Sequence, residues 1–258
     1  MAEKLKYFVN GQFRESKTDK WYDLHNPSTG ETTGQAPCCT NDEVLEAIAA
    51  AKAAYPGWSA TPAIKRAQIL YRVRELILER MDELTMSVAK ENGKVWAESE
   101  GDVLKAKEGT ELATQVPSLM MGESIMDASR GYDTVKYREP LGVFAGIVPV
   151  NFPAMIPFGW MAPTCIAAGN TLVLKAASLT PKTAMLFAQL YKDAGVPDGV
   201  INVVTCSRNE INTILEHPDV KGITFVGSTP VGLKIYEKAA ANGKRCQALC
   251  QAKNHALV

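Results

Sequence analysis

Residues 141–175 read LGVFAGIVPVNFPAMIPFGWMAPTCIAAGNTLVLK, and their reading decides the fold. The run 143–150 offers no polar face, the pattern of a strand buried on both sides of a parallel sheet. It halts at Asn151-Phe152-Pro153, where Pro149 and Pro153 fix φ on either side of Asn151. The Asn151 amide is therefore predicted as an oriented donor at the C-terminal end of a strand, the edge where open α/β sheets place their ligands. Residues 154–168 predict an apolar helix closed by Gly169-Asn170, and residues 171–174 a second strand that ends in Lys175. Two successive strand ends thus bring one amide and one ammonium to a common edge.

Downstream, helices at 181–194, 208–216 and 231–241 alternate with strands at 200–205, 222–226 and 244–250, and residues 255–258 predict one further, short strand. Such alternation with short loops predicts an α/β fold, a doubly wound and mostly parallel sheet. Upstream, Asn10-Gly11 predicts a hairpin over 7–13, and the turn at 26–30 separates strands near 22–24 and 31–36. Thr40 and Glu43 form a capping box ahead of a helix running to about Tyr55, before Pro56-Gly57. Thr61 is predicted to cap the next helix with Pro62 at its first position, and Ile69, Val73, Ile77 and Leu78 form its apolar stripe. Residues 81–91 predict a helix stopped by Asn92-Gly93. Residues 95–115 predict another, with Glu98, Glu100 and Asp102 in its early turns, where the helix dipole favours negative charge. Residues 120–138 mix turn and strand signals. The organisation expected is a hairpin and helices over 1–120, a strand excursion over 121–140 and an α/β core over 141–258.

The chain has 258 residues, 46% of them hydrophobic, enough for a sizeable core. Its 28 basic and 28 acidic residues cancel, so no global field draws it to nucleic acid or to a membrane surface. No window approaches the ~18 consecutive apolar residues of a membrane span, and the start, MAEKLKYFVNG, lacks a secretory apolar core. A cytoplasmic location is expected. The six cysteines, at 38, 39, 165, 206, 246 and 250, show no metal-ligand spacing, so reduced thiols and no metal site are expected.

Three places offer chemistry. Asn151 suits an oxyanion: a preset amide donor is worth about 3 kcal/mol in comparable sites, although asparagines also cap strand ends. Lys175 closes a buried strand, where an ammonium needs an anionic or polar partner unless it snorkels to the rim. At Gly227-Ser228-Thr229-Pro230-Val231-Gly232 a strand turns into a helix whose first N–H groups suit a phosphate. The competing reading there is a plain turn with Thr229 as cap and Pro230 at the first helical position.

The Pro149-Val150-Asn151-Phe152-Pro153 element followed by a strand-end lysine resembles the aldehyde dehydrogenase superfamily. Glu91-Asn92-Gly93-Lys94, the run 117–122 (PSLMMG) and Ala252-Lys253-Asn254-His255 resemble its CoA-acylating methylmalonate-semialdehyde group. The resemblance spans residues 8–258 and implies a Rossmann-like NAD-binding domain. Asn151 is then the oxyanion-hole donor, and Lys175 meets the adenosine ribose. Phe225, Gly227 and Ser228 stand at the cofactor, Val231 on its adenine side, Val148 and Val150 along the nicotinamide half, and Leu179 and Cys250 are further contacts. Ser178 takes the place of the acid that often binds the same ribose, which leaves NADP less excluded, although NAD is favoured.

Other departures from the family shape the expected function. Leu249 stands where hydrolytic members carry a water-activating glutamate, so thiolysis by CoA is expected. Lys105 replaces an arginine that grips the substrate carboxylate; it keeps the charge and loses the bidentate fork. None of the six cysteines lies in the family's nucleophile setting, which falls beyond Val258. The resemblance therefore implies the N-terminal NAD-binding portion of an enzyme converting a small aldehyde, CoA and NAD to acyl-CoA and NADH, inactive by itself. The full-length protein is expected to be a homo-oligomer. A short non-catalytic nucleotide-binding or interaction protein, and a hydrolytic aldehyde dehydrogenase, are the alternatives.

Overall fold

The computed structural model describes residues 3–252 and 255–257. The N-terminal hairpin is present as β1 (Tyr7–Val9) and β2 (Gln12–Arg14), turning through Asn10 and Gly11 at positive φ. β3 (Trp21–His25) and β4 (Thr32–Pro37) pair as expected. Thr40 and Glu43 make the reciprocal capping box that opens α1 (Asn41–Ala60). This helix does not stop at Tyr55. It carries Pro56 inside its final turns because Trp58 is buried and its indole N–H donates to the Ile166 carbonyl at 2.9 Å, which offsets the intrahelical bond that Pro56 cannot make. Thr61 consequently closes α1, donating its hydroxyl to Gly57 at 3.0 Å, and α2 (Ala63–Glu79) begins only after Pro62. α3 (Met81–Asn92), which ends at Gly93, is followed by α4 (Trp96–Ala113) and the single turn α5 (Val116–Leu119). β5 (Ser124–Ser129) and β6 (Tyr132–Val135) form a separate two-stranded arm, exposed along its length.

The rest of the chain alternates β7 (Val143–Ile147), α6 (Ala162–Ala167), β8 (Thr171–Lys175), α7 (Lys182–Asp193), β9 (Ile201–Val204), α8 (Arg208–Glu216), β10 (Val220–Gly227), α9 (Thr229–Ala241) and β11 (Arg245–Cys250). The seven-stranded sheet runs β11-β10-β7-β8-β9-β1-β2. β11 to β9 are parallel, and the hairpin joins antiparallel through Phe8 opposite Val203. The doubly wound expectation holds. One face of β7 and β8 packs Val143, Ala145, Ile147 and Val173 under α1, α8 and α9; on the other, Leu172 and Leu174 meet α2 to α4, α6 and α7.

Other boundaries also differ from the sequence reading. β7 ends at Ile147 rather than at residue 150, because Pro149 has no N–H to extend the ladder; the last link is Val148 N–H to the Lys175 carbonyl, at 3.4 Å. The helix expected from residue 154 opens as a π-helical segment, Ile156–Met161, before α6. There Gly159 crosses Gly109 of α4 so closely that a Cβ on either would collide with the other helix's backbone. Residues 255–257 belong to no strand: Gln251 adopts a φ of 61° and the chain leaves the sheet, so among the described residues β11 is the outer strand on this side. Val258, like Lys253 and Asn254 of the quoted motif, lies outside the described residues.

One buried acid ties the helical layer together. Glu91 of α3 accepts the backbone N–H groups of Lys182 (2.8 Å) and Thr183 (3.1 Å), capping α7, which has no side-chain cap of its own. Burial nonetheless pushes its carboxyl up to about 7. The native state then holds a proton that the unfolded chain has released. Stability due to this group is fully present below the ordinary carboxylate pKa and is lost as pH rises toward about 7. Replacing Glu91 with glutamine is expected to flatten that slope by about 2 kcal/mol. The check is the wild-type minus variant unfolding free energy between pH 4.5 and 7.5.

Candidate functional site

Helices leave β7 toward one face of the sheet and enter β10 from the other, so the C-terminal ends of these neighbours form the switch point where α/β sheets bind ligands. At that edge Ile147 stands opposite both Lys175 of β8 and Phe225 of β10. A cleft of about 870 Å³ opens beside it between α8 and α9, with Ile147, Lys175 and Cys206 on its floor and Arg208, Val231 and Lys234 on its walls. Lys175 is half-buried, and its ammonium makes no hydrogen bond or ion pair among the described residues. Burial holds its pKa below the usual lysine value.

α9 starts over the same cleft. Its cap is Ser228 rather than Thr229, and Pro230 lies one position inside the expected place. Ser228 makes no side-chain capping bond, so the first N–H groups of α9 have no side-chain oxygen closing them off. Gly227 leads into this turn. Phe225 is buried under it, against Gly232. The Cys250 thiol fills the space a Gly232 side chain would need, so it packs on the helix. Val148, Val150, Ser178 and Leu179 stand on the loops leaving β7 and β8 rather than in the cleft walls; Val148 is buried, Ser178 half-buried, and Val150 and Leu179 are exposed.

Asn151 lies four residues beyond β7, exposed, and its amide makes no hydrogen bond among the described residues. The loop around it is clamped. Asn92 donates its amide to the Val150 carbonyl at 2.8 Å, and Thr180 reaches the same oxygen at 3.4 Å. On the other flank Met155 N–H donates to Asp102 at 2.7 Å, and Asp102 pairs with Lys94 at 3.1 Å. The Lys94 ammonium also lies 3.9 Å from the Phe152 ring centroid. Asp102 is thus not a solvated charge answering the helix dipole. Its side chain is fully buried, and burial raises its pKa despite the lysine. The signal for this was its place in the inward-facing series Ser99, Asp102, Val103, Ala106.

A second cleft, about 430 Å³, lies on the opposite face of the sheet and brings together Lys105 of α4, Trp160 and Leu249 of β11. Lys105 is ion-paired at 2.6 Å with Glu108, one turn on, and both are exposed. Among the described residues, Glu108 is the only carboxylate in this lining, and Lys105 engages it. The cysteines are free thiols, and burial pushes Cys39, Cys165 and Cys206 up to about 12, far from a resting thiolate. Among the described residues, no helix is long and apolar enough to cross a membrane.

Comparison with known proteins fits this geometry. The chain is 46% identical over 257 residues to malonate-semialdehyde dehydrogenase 2 of Geobacillus kaustophilus (strain HTA426), covering all of this chain and 53% of that protein. It is 44% identical over 254 residues to the mitochondrial methylmalonate-semialdehyde/malonate-semialdehyde dehydrogenase [acylating] of Rattus norvegicus, covering 98% and 47%. A Sinorhizobium meliloti 1021 structure complexed with NAD superposes with a TM-score of 0.95 at 36% identity, covering 99% of this chain and 52% of that one. The chain spans about half the length of the curated relatives it matches. Residues 13–258 match the aldehyde dehydrogenase family, and with the sheet, the switch-point cleft and the clamped Asn151 loop in the places described, the chain belongs to that family.

Proposed function

We propose that this chain is the dinucleotide-binding portion of an aldehyde dehydrogenase that acylates CoA from a small semialdehyde. The observation that carries the reading is the Lys175 ammonium, without a hydrogen-bond or ion-pair partner among the described residues, on the floor of a cleft roofed by the open start of α9, with Asn151 at the same sheet edge. Lys175 would hold the adenosine ribose and the α9 turn at Gly227-Ser228 the pyrophosphate, with Val231 against the adenine. A bound nicotinamide, from NAD or its 2′-phosphate, supplies the hydride acceptor. Asn151 donates to the oxygen that becomes negative when a thiolate adds to the aldehyde.

CoA as acyl acceptor is supported by Leu249, which offers no carboxylate where a water-activating base is needed, and by the word "acylating" in the name of the Rattus relative. Lys105, in the cleft with Leu249, is the candidate for a substrate carboxylate once it exchanges Glu108 for that partner. The exposed arm of β5 and β6 is the candidate surface for association between copies.

The test is nucleotide binding. Calorimetric titration of the purified chain with NAD is expected to give a saturable isotherm, and Lys175→Ala to weaken it at least about tenfold through loss of a charged hydrogen bond. Unchanged affinity in that variant, with an unchanged melting temperature, would remove Lys175 from the site. The chain alone, lacking a nucleophile in the family setting, is expected to form no NADH from aldehyde and CoA. Turnover by it would refute that part.

A further inference from the structure

At the tip of α3, Glu91, Asn92 and Lys94 reach separate segments of the chain. Glu91 holds the first N–H groups of α7, at 2.8 and 3.1 Å, which anchors the end of the helix. Gly93 then takes a φ of 76°, and a Cβ there would stand only 3.0 Å from the Cβ of Pro27, so the turn suits glycine alone. Around this left-handed turn, Asn92 and Lys94 meet the loop after β7 at two places. Asn92 donates its amide to the Val150 carbonyl at 2.8 Å, one residue before Asn151. The Lys94 ammonium lies 3.9 Å from the Phe152 ring centroid, one residue after it, and is itself fixed by the buried Asp102 at 3.1 Å. Asn151 is gripped through both of its chain neighbours.

Its own side chain supplies no such hold. Asn151 is exposed and its amide makes no hydrogen bond among the described residues, so its direction is set by the backbone that carries it. The peptide joining Val150 to Asn151 is planar, and a bond to its carbonyl oxygen fixes the plane from which the Asn151 Cα departs. Thr180 reaches the same oxygen at 3.4 Å, a longer and weaker contact. An oxyanion donor acts only when its place is set before the charge develops. A shift of about 1 Å at such a group costs about 100-fold in rate.

We propose that Asn92 is a positioning residue: its hydrogen bond to the Val150 carbonyl holds the Asn151 amide where a developing oxyanion can meet it. The proposal rests on the reading of Asn151 as the oxyanion donor, and the measurements separate the two. In the 258-residue chain, NMR relaxation is expected to give the Asn151 and Phe152 amides order parameters near the rigid value of about 0.85. Asn92→Asp keeps the shape but cannot donate, so it should lower both below about 0.6, as should Asn92→Ala. Melting temperatures report whether the variants fold. Rigid order parameters in both variants overturn the proposal. For the reaction, the chain is joined to the second half of its Geobacillus relative. There Asn92→Ala should lower kcat by about ten- to a hundredfold, with KM for aldehyde and affinity for NAD within about twofold of the parent. Because Asn92 acts through Asn151, the same substitution should cost nothing further in an Asn151→Ala background. A full additive loss in that background would mean that Asn92 works independently of Asn151, and overturns the proposal. If Asn151→Ala alone leaves kcat unchanged, the oxyanion reading fails and the proposal falls with it, whatever the relaxation shows.

Discussion

Replacing Asp102 with alanine is expected to destabilise the chain by about 3–5 kcal/mol, the range for breaking a buried ion pair from one side. The side chain is fully buried, and its two oxygens serve Lys94 at 3.1 Å and the Met155 N–H at 2.7 Å. Removing it leaves an ammonium that is mostly shielded from water and a backbone donor without a partner. Asp102→Asn should cost less, since an amide oxygen can still accept from Met155. Replacing both Lys94 and Asp102 with methionine and leucine should recover much of the loss, because no charge then stays unpaired. Urea unfolding of the four proteins checks this. If Asp102→Ala unfolds within 1 kcal/mol of wild type, the clamp is not the support of the Asn151 loop that its geometry indicates.

Asn151→Ala is expected to lower kcat for aldehyde oxidation by about 100- to 1,000-fold, the effect of deleting one oxyanion donor. A chimera that continues this chain into the second half of its Geobacillus relative supplies the nucleophile for the assay. The amide is exposed and makes no hydrogen bond among the described residues, so its loss should leave the melting temperature and dinucleotide affinity near those of the parent. A fall in kcat with KM unchanged is the signature of an interaction made only in the transition state. Equal losses in affinity and stability would instead assign Asn151 a structural place. Lys94→Met in the same chimera should lower kcat through the loop it steadies, by less than Asn151→Ala, since it touches Phe152 and Asp102.

The alternation after residue 141 was legible because the central strands β7, β8 and β9 are mostly apolar and each helix ends at a glycine or polar turn, so local propensity and tertiary packing agree. The strand-end position of Lys175 and the turn at Gly227 followed from that periodicity alone. What escaped were contacts made across the chain. Pro56 breaks helices by local rules, yet α1 passes through it because Trp58 anchors 108 residues away on Ile166. Glu91 reads as an ordinary helical acid until α7 is brought against it. Asp102 belonged by sequence to the dipole-complementing first turns, and only the return of the chain at Met155 gives it a buried role. The cations of the large cleft come from β8, α8 and α9, and no spacing in the sequence links them.

The pairing of Phe8 with Val203 makes the docking of the edge hairpin, β1 and β2, depend on a segment nearly two hundred residues later. On a ribosome elongating at about 5–20 residues per second, the N-terminal hairpin waits roughly ten to forty seconds for its partner. Through that interval, Tyr7, Phe8 and Val9, all buried in the finished protein, have no sheet to cover them. Nascent chains should therefore display a sticky N-terminus until β9 emerges, and chaperone binding mapped by stalled translation should concentrate there.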